Sequence, residues 1–258
     1  MKLIQEINVS PVKSFGLAKA DVVNVGMSGI EEDRRLFLID NRDRLVTQRD
    51  VGRLTQLKAD YRSEQDRFCL DIPGADRMEG QLETGEPVTT KLWGRDVTGL
   101  VVTGDWGNAL SHFCGQTVRL VLSSAPGQCF DEYPISLLSQ ASLEMLNGQG
   151  DVSVDLDVRR FRPNFLIGGC EPHEEDTWLG QTIQIGHEML LHVVARDPRC
   201  VITCLDPDTG DADFETRGLI TRYRPSSGTA YFGVYGIVER AGDVSVGDKV
   251  QTPINASS

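Results

Sequence analysis

Short hydrophobic runs, separated by turn residues about every ten positions, dominate the pattern along this chain. Most of them are rich in Val, Ile, Leu and Phe and are bounded by Gly, Pro, Asn or Asp, which is typical of β-strands. The runs predicted as strands are 2–9, 36–40, 56–61, 68–72, 118–123, 164–167, 182–185, 190–195, 201–205 and 231–238. Many short strands favour a barrel or sandwich over alternating βαβ units. We therefore predict a mainly β, barrel-like fold with a few helices.

Two segments predict helices. Residues 108–114 form a short one that ends before Gly115. Residues 139–147 begin at Ser139, a residue type favoured as a helix cap, and stop at Gly148.

Two further stretches interrupt the strand pattern. Residues 74–86 combine glycine, charge and little hydrophobicity, and we predict a loop there. The Ser- and Pro-containing stretch 123–131 indicates a boundary that divides the chain into residues 1–124 and 125–258.

Composition and charge exclude several classes of protein. The 258 residues carry 26 Lys and Arg against 38 Asp and Glu, and a net charge of −12 argues against general binding to nucleic acid or anionic membranes. No apolar run approaches the roughly 20 residues of a membrane helix, and the start becomes polar too soon for a signal peptide. The six cysteines are scattered rather than arranged as a disulfide framework. We expect a cytoplasmic protein with reduced thiols.

Against this acidic background, cationic residues are concentrated in four short segments. They are Lys13, Arg34-Arg35, Arg159-Arg160-Phe161-Arg162 and Arg196-Asp197-Pro198-Arg199. If the fold brings them together, they form a pocket for phosphate-like oxygens, because the guanidinium group offers a bidentate fork. The alternative is that each is a solvated charge on a strand or loop.

Pro163 predicts a stiff loop. It disfavours helical backbone at Arg162, so we expect an extended Arg162, followed by Asn164 just before an apolar strand. Such stiffness suits a preorganised binding site. The alternative is a structural arginine paired with a carboxylate.

Cys200 lies in the most informative stretch of the sequence. The Pro198 loop delivers Arg199 and Cys200 to the start of the predicted strand 201–205, where alternation places Cys200 on the face of Ile202 and Cys204. A thiolate beside a cation suits a soft metal centre. The alternative is a small buried hydrophobic residue, which is our interpretation of the other five cysteines.

An ordered set of motifs resembles the MOSC family. The motifs are Pro11-Val12-Lys13-Ser14, Asp33-Arg34-Arg35-Leu36-Phe37, Ser139-Gln140-Ala141-Ser142-Leu143, Phe161-Arg162-Pro163-Asn164, Glu175-Asp176-Thr177-Trp178, Arg199-Cys200 with Asp206-Pro207-Asp208-Thr209-Gly210, and Val246-Gly247-Asp248. Within that family the chain is similar to the amidoxime-reducing components, with an amino-terminal MOSC-associated β-barrel domain (1–124) followed by the MOSC domain (125–258). The resemblance covers nearly the whole chain.

The resemblance implies a molybdenum cofactor, molybdopterin, and assigns residues to it. Cys200 would ligate molybdenum with Arg199 beside it as the second catalytic residue. The remaining contacts would come from Lys13, Ser14 and Arg35 in the first domain, from Arg162 and Asn164 at the pterin or phosphate, from Tyr133 in the loop Asp131-Glu132-Tyr133-Pro134, and from Tyr235.

The implied reaction is a detoxifying reduction of N-hydroxylated compounds such as hydroxylamines, N-hydroxylated bases and amidoximes. Some family members carry a carboxyl-terminal iron–sulfur domain, whereas this sequence stops soon after Val246-Gly247-Asp248. We therefore expect a separate electron donor, a ferredoxin-like or other protein with its reductase; the alternative is that the sequence is a fragment of a longer protein. Two alternatives remain: a sulfur carrier or transferase with a persulfide on Cys200, and a noncatalytic protein that binds a phosphorylated ligand.

Overall fold

Strands dominate the computed structural model, which describes residues 1–149, 155–224 and 228–252. The strands are β1 (Leu3–Val9), β2 (Ala18–Ala20), β3 (Val22–Gly26), β4 (Gly29–Ile30), β5 (Leu36–Ile39), β6 (Leu45–Val46), β7 (Lys58–Arg62), β8 (Arg67–Asp71), β9 (Met78–Gln81), β10 (Thr84–Leu92), β11 (Arg95–Val102), β12 (Arg119–Ser123), β13 (Ile135–Ser139), β14 (Phe165–Gly168), β15 (Thr182–Ile185), β16 (Met189–Pro198), β17 (Tyr231–Arg240), β18 (Gly242–Ser245) and β19 (Val250–Gln251). The α-helices are α1 (Trp106–Cys114), α2 (Gln140–Asn147) and α3 (Thr216–Tyr223). The predicted mainly β fold is confirmed.

The largest sheet joins the two ends of the sequence. Its strand order is β19-β15-β16-β17-β13-β14-β1-β2, and β1 pairs antiparallel with β14 so that Ile7 lies opposite Phe165. Its core includes Leu191 and Val234, both fully buried. Because β1 and β14 are neighbours, the turn after β1 lies beside the loop that precedes β14. This pairing brings two of the cationic segments together.

Two further sheets, formed by strands of the amino-terminal half, enclose a second hydrophobic core. A five-stranded sheet has the order β10-β11-β12-β5-β6, and a smaller sheet has the order β7-β8-β9. Their shared core contains Phe68 and Trp106, whose rings meet edge to face at 5.1 Å. In a fourth sheet β18 pairs with β3, so strands from both halves of the sequence are interleaved. The division at residues 124 and 125 stays a prediction.

The two predicted helices are confirmed. In α2 the Ser139 hydroxyl accepts a hydrogen bond from the backbone N–H of Ser142 at 3.1 Å, as a helix cap does. The sequence did not predict α3, whose cap is the side chain of Glu215. Across the described ranges, no helix combines the length and the apolar character that spanning a bilayer requires.

The predicted strand 201–205 is wrong. Val201–Cys204 is a 3₁₀ helix, and Cys200 precedes it. The Thr203 N–H and hydroxyl both donate to the Cys200 carbonyl, at 3.2 and 2.9 Å, and these local bonds replace a strand ladder. Cys200 therefore does not share a strand face with Ile202 and Cys204.

The predicted loop 74–86 is also wrong, because it contains β9 and the start of β10. Strand β9 lies at the edge of its sheet and pairs with β8, where Phe68 lies opposite Gly80. An edge strand can keep its backbone hydrogen bonds without burying apolar side chains, so hydrophobic patterning does not reveal it.

Candidate functional site

A pocket of about 560 Å³ opens where the end of β16 meets the loops that precede β13 and β14. Among the described residues, six arginines line it: Arg34, Arg49, Arg95, Arg160, Arg162 and Arg199. Three acids from the same described ranges, Asp131, Glu132 and Asp197, also line it, and so does Cys200. The cations outnumber the acids in the walls of an acidic protein, so the pocket favours an anionic ligand.

Arg162 bridges the two halves of the sequence. Its Nη2 donates to the Ser10 hydroxyl at 3.0 Å and to the Phe15 carbonyl at 2.8 Å. The expected extended backbone at Arg162 is wrong, since its φ is +51°. Arg162 follows the 3₁₀ segment Val158–Arg160, and its two hydrogen bonds hold the side chain against the turn after β1 and help to maintain this left-handed conformation.

Arg162 has no direct ion-pair partner among the described residues, although Asp33 and Asp131 lie near enough to favour its charged form. Within the ranges that the structure describes, no carboxylate lies at ion-pair distance from Arg162, whereas Arg160 pairs through two nitrogens with Asp213. Burial, together with the nearby Arg34, lowers the pKa of Arg162 to about 10. A guanidinium held at a pocket wall by neutral partners is ready to pair with an anion.

Arg34 also lines the pocket and is held by a buried polar frame. Its partner Asp33 accepts hydrogen bonds from the Ser10 N–H at 2.8 Å and from the Asn164 amide at 3.1 Å. The Asn164 side-chain oxygen accepts from the Ser136 N–H at 3.0 Å and from the Ser136 hydroxyl at 3.1 Å. Asn164 therefore lies in the wall with its amide already engaged, and the frame fixes where Arg34 lies.

The three residues predicted from the first domain lie behind the wall. Lys13 is buried and its Nζ donates to Asp131 Oδ1 at 2.9 Å. Ser14 is buried with a φ of +75° and is not part of the pocket lining. Arg35 is likewise outside the lining, which contains its neighbour Arg34 instead. Arg34 lies in a turn with a φ of +53°, so its side chain and that of Arg35 point in different directions although the two residues are adjacent.

Asp131 connects Lys13 to the pocket. Burial opposes ionisation of its carboxyl group, but the charges of Lys13 and Arg34 outweigh this and keep the pKa of Asp131 below its usual range. Burial lowers the pKa of Lys13, and Arg34 lowers it further, against the opposing effect of Asp131. The loop that contains Asp131 is thus tied by charge to the turn after β1.

Cys200 is half-buried at the pocket wall, and Arg199 beside it is buried. The Arg199 side chain donates to the Phe232 carbonyl at 2.6 Å and to the Phe161 carbonyl at 2.7 Å, and it forms an ion pair with Asp197 at 2.7 Å. These contacts fix the loop from which the Cys200 thiol reaches the pocket.

Asp197 is a buried acid in the same wall that sequence reasoning did not select as a site residue. Burial raises the pKa of Asp197 to about 6, although Arg199 and a hydrogen bond from the Tyr235 hydroxyl act in the opposite direction. The Tyr235 ring lies 5.7 Å from that of Tyr133, and both line the pocket. The sequence contains a signal for Asp197 as a site residue, because it precedes Pro198 in the same stretch that predicts Cys200 as a ligand.

The hairpin of β10 and β11 supplies part of the wall that the sequence did not predict. Its tip carries Trp93 and Arg95, which line the pocket together with Arg49 and Phe130. The Trp-Gly pair at positions 93 and 94 is a turn signal, but a turn does not tell which surface it will touch.

The residues present fit the implied cofactor. A molybdopterin is anionic and carries a soft metal, and the pocket offers a half-buried thiol at Cys200 beside Arg162, which is held by neutral oxygens. In addition, Nη2 of Arg199 is buried and has no hydrogen-bond partner among the described residues. This donor set suits phosphate or pterin oxygens.

Comparisons with known proteins agree with the motifs. The MOSC domain profile matches residues 112–251, and the profile of the MOSC N-terminal beta barrel domain matches residues 1–118. Mitochondrial amidoxime reducing component 2 from Macaca fascicularis is 29% identical over 96% of this chain and 82% of its own length. The Bos taurus protein of the same name is 31% identical over the same shares. Mitochondrial amidoxime-reducing component 1 from Homo sapiens is 29% identical, again over 96% and 82%.

Proposed function

The chain belongs to the MOSC domain family, and we propose that it is a reductase of N-hydroxylated compounds that depends on a molybdenum cofactor held by Cys200. One observation carries the proposal: the Cys200 thiol shares a pocket with more cations than acids, including Arg162, which no described carboxylate pairs. The names of the relatives support the same class of reaction.

The cofactor, when bound, supplies the two-electron redox chemistry at its metal. Cys200 would hold the metal, and Arg162 and Arg34 would hold the anionic groups. Asn164 would help to position Arg34 indirectly, because its side-chain amide donates a hydrogen bond to Asp33, the ion-pair partner of Arg34. Lys13, Ser14 and Arg35 would support the wall from behind, Tyr133 and Tyr235 would flank the ligand, and Arg199 would set the geometry of the Cys200 loop.

Reduction of the N–O bond consumes two electrons and two protons: R–NHOH + 2 e⁻ + 2 H⁺ gives R–NH₂ + H₂O. Asp197 is the acid in the pocket whose raised pKa lets it carry a proton near neutral pH. We propose that the electrons come from a separate ferredoxin-like or other donor protein with its reductase. The relatives are named as mitochondrial, and a cytoplasmic location for this chain is a proposal that cell fractionation would test.

Metal and pterin analysis tests the cofactor. The protein would be made in cells that synthesise the cofactor, as wild type, as Cys200→Ala and as Cys170→Ala, a control thiol that is also half-buried but lies outside the pocket. We expect about one molybdenum per chain, the stoichiometry of a single thiolate ligand, in wild type and Cys170→Ala. In Cys200→Ala we expect loss of molybdenum and of the reduction of hydroxylamines.

The alternatives give different results in the same experiment. If Cys200 carries cyanide-releasable sulfur and the protein contains no pterin, the function is that of a sulfur carrier or transferase instead of a reductase. If the protein contains a phosphorylated ligand but neither molybdenum nor pterin, it is a noncatalytic binding protein. Molybdenum retained by Cys200→Ala would remove the proposed ligand.

A further inference from the structure

Trp93 has a backbone conformation that its side chain disfavours. Leu92 pairs with Arg95, so the hairpin turn consists of Trp93 and Gly94 alone, with φ values of +48° and +89°. Both values are positive, as in a type I′ turn, where Asn-Gly is the preferred sequence and a bulky first residue is strained. The Trp93 side chain is 49% exposed, so burial of its ring offsets little of this strain.

The ring of Trp93 is nevertheless held in one place. Its indole N–H donates to Asp131 Oδ1 at 3.0 Å, and the Arg49 guanidinium lies 4.2 Å from the ring centre. Asp131 is itself bound by Lys13. On the same hairpin tip, Arg95 donates to the Asp131 carbonyl at 3.1 Å and lies over Phe130 at 4.6 Å.

This position places Trp93 between two cavities. Trp93 and Arg49 line both the 560 Å³ pocket and a neighbouring cavity of about 620 Å³ that is formed largely by β6, β10 and the loops beside them. Together the two residues form part of the partition between the cavities. A strained, half-exposed aromatic residue that is fixed at a pocket wall is typical of a ligand contact rather than of core packing.

We propose that Trp93 is a specificity-determining residue that stacks on the planar body of the substrate, so that aryl-substituted N-hydroxylated compounds bind better than small alkyl ones. The proposal rests on the proposed reductase function. The lining of the pocket that includes Trp93 also contains flat groups, the rings of Phe130 and Tyr133 and the guanidinium groups of Arg49 and Arg95. Such surfaces contact a planar ligand over its whole face, whereas a methyl-sized group contacts only part of them. The same two guanidinium groups disfavour a cationic ligand, so the substrate selected is planar and carries no positive charge.

The test compares benzamidoxime with acetamidoxime, which differ only by phenyl in place of methyl. In the loaded enzyme, Trp93→Asn is expected to raise the KM for benzamidoxime roughly tenfold, which corresponds to the ~1.4 kcal/mol of a stacking contact, and to change the KM for acetamidoxime less than about twofold. Trp93→Phe, which keeps a ring, is expected to retain most of the preference.

Stability gives a readout that does not depend on turnover. Asn-Gly suits the type I′ turn, but Trp93→Asn also loses the hydrogen bond to Asp131 and the contact with Arg49, so we expect these opposing effects to leave the Tm of the cofactor-free protein within about 4 °C of wild type. The Tm measurement checks that the variant is folded. Benzamidoxime should also quench the fluorescence of wild type more than that of Trp93→Phe, because Trp106 and Trp178 are only 7% and 2% exposed.

The outcomes separate this inference from the proposed function. If the wild type reduces neither amidoxime, the reductase function fails. If it reduces both and Trp93→Asn alters the two KM values equally, the role of Trp93 is overturned while the reductase function stands.

Discussion

The Arg162 guanidinium donates a hydrogen bond to the carbonyl of Phe15 at 2.8 Å, across 147 positions of sequence. The contact exists because β1 and β14 are adjacent in one sheet, so the turn after β1 and the loop before β14 share a wall of the pocket. A basic residue in a loop becomes a site residue only through this strand pairing.

Replacement of Arg162 should separate ligand binding from stability. In the cofactor-free protein Arg162→Met loses the hydrogen bonds to Ser10 and Phe15 but also removes a buried cation that lacks an ion-pair partner among the described residues, so we expect these opposing effects to change the free energy of unfolding by less than ~1 kcal/mol. Its pterin content should fall at least roughly tenfold, the loss expected for one charge-assisted contact. The matched variant Arg160→Met breaks the pair with Asp213 and is expected to cost about 2 kcal/mol. Urea unfolding and pterin analysis measure both effects, and equal destabilisation by the two variants would contradict the distinction.

Asp197 should make stability depend on pH. Its folded pKa of about 6 lies above the roughly 3.9 of an unfolded chain, so between these values the folded protein holds a proton that the unfolded chain has lost. Its contribution to the free energy of unfolding is therefore present below about pH 4 and is lost as the pH rises through 6. The stability difference between wild type and Asp197→Asn should fall by about 3 kcal/mol from pH 4 to pH 7. A difference that stays constant over this range would show that Asp197 does not hold the proton.

The close approach of two glycine backbones fixes the segment that follows Cys200. A Cβ on Gly210 would lie 2.2 Å from the Gly52 carbonyl carbon, and its φ is +81°. Gly74 has a similar φ of +79° with no atom within 4 Å of a Cβ, so Gly74→Ala measures the backbone strain alone. We expect about 1 kcal/mol of destabilisation for Gly74→Ala and at least about 3 kcal/mol for Gly210→Ala. Similar costs in urea unfolding would mean that the contact adjusts easily.

The cap of α2 should contribute measurably to stability. Ser139 caps the helix through the Ser142 N–H, and the Ser142 hydroxyl donates to the buried Glu175 at 2.7 Å. Ser139→Ala is expected to cost about 1–2 kcal/mol, the usual range for a lost cap. Ser139→Asp offers a capping oxygen but adds a second carboxylate beside Glu175, so it should not restore stability. Recovery in Ser139→Asp would show that capping alone accounts for the loss.

Local chemistry determined much of this protein from the sequence alone. Strands that consist of apolar residues between turn residues, such as Thr182–Ile185, are predictable because their composition indicates that they are buried. Ser139 is predictable as a cap because its side chain acts within one helical turn. The edge strand β9 is not predictable in this way, because its backbone pairing needs no hydrophobic pattern. The 3₁₀ turn after Cys200 is not predictable either, because local hydrogen bonds from a hydroxyl and a backbone N–H determine it.

Only the tertiary structure decided how the site is assembled. The sequence shows that Arg162, Asp131 and Cys200 are present, but it does not show which groups they contact. Whether the Arg162 guanidinium faces a carboxylate or an open pocket depends on the order of strands in the sheet, because strand pairing brings together residues that are far apart in sequence. The same holds for Trp93, whose hairpin tip could have faced solvent. Charge and hydrogen bonding depend on distance, and distances between residues far apart in sequence are set by the fold as a whole rather than by any segment of it.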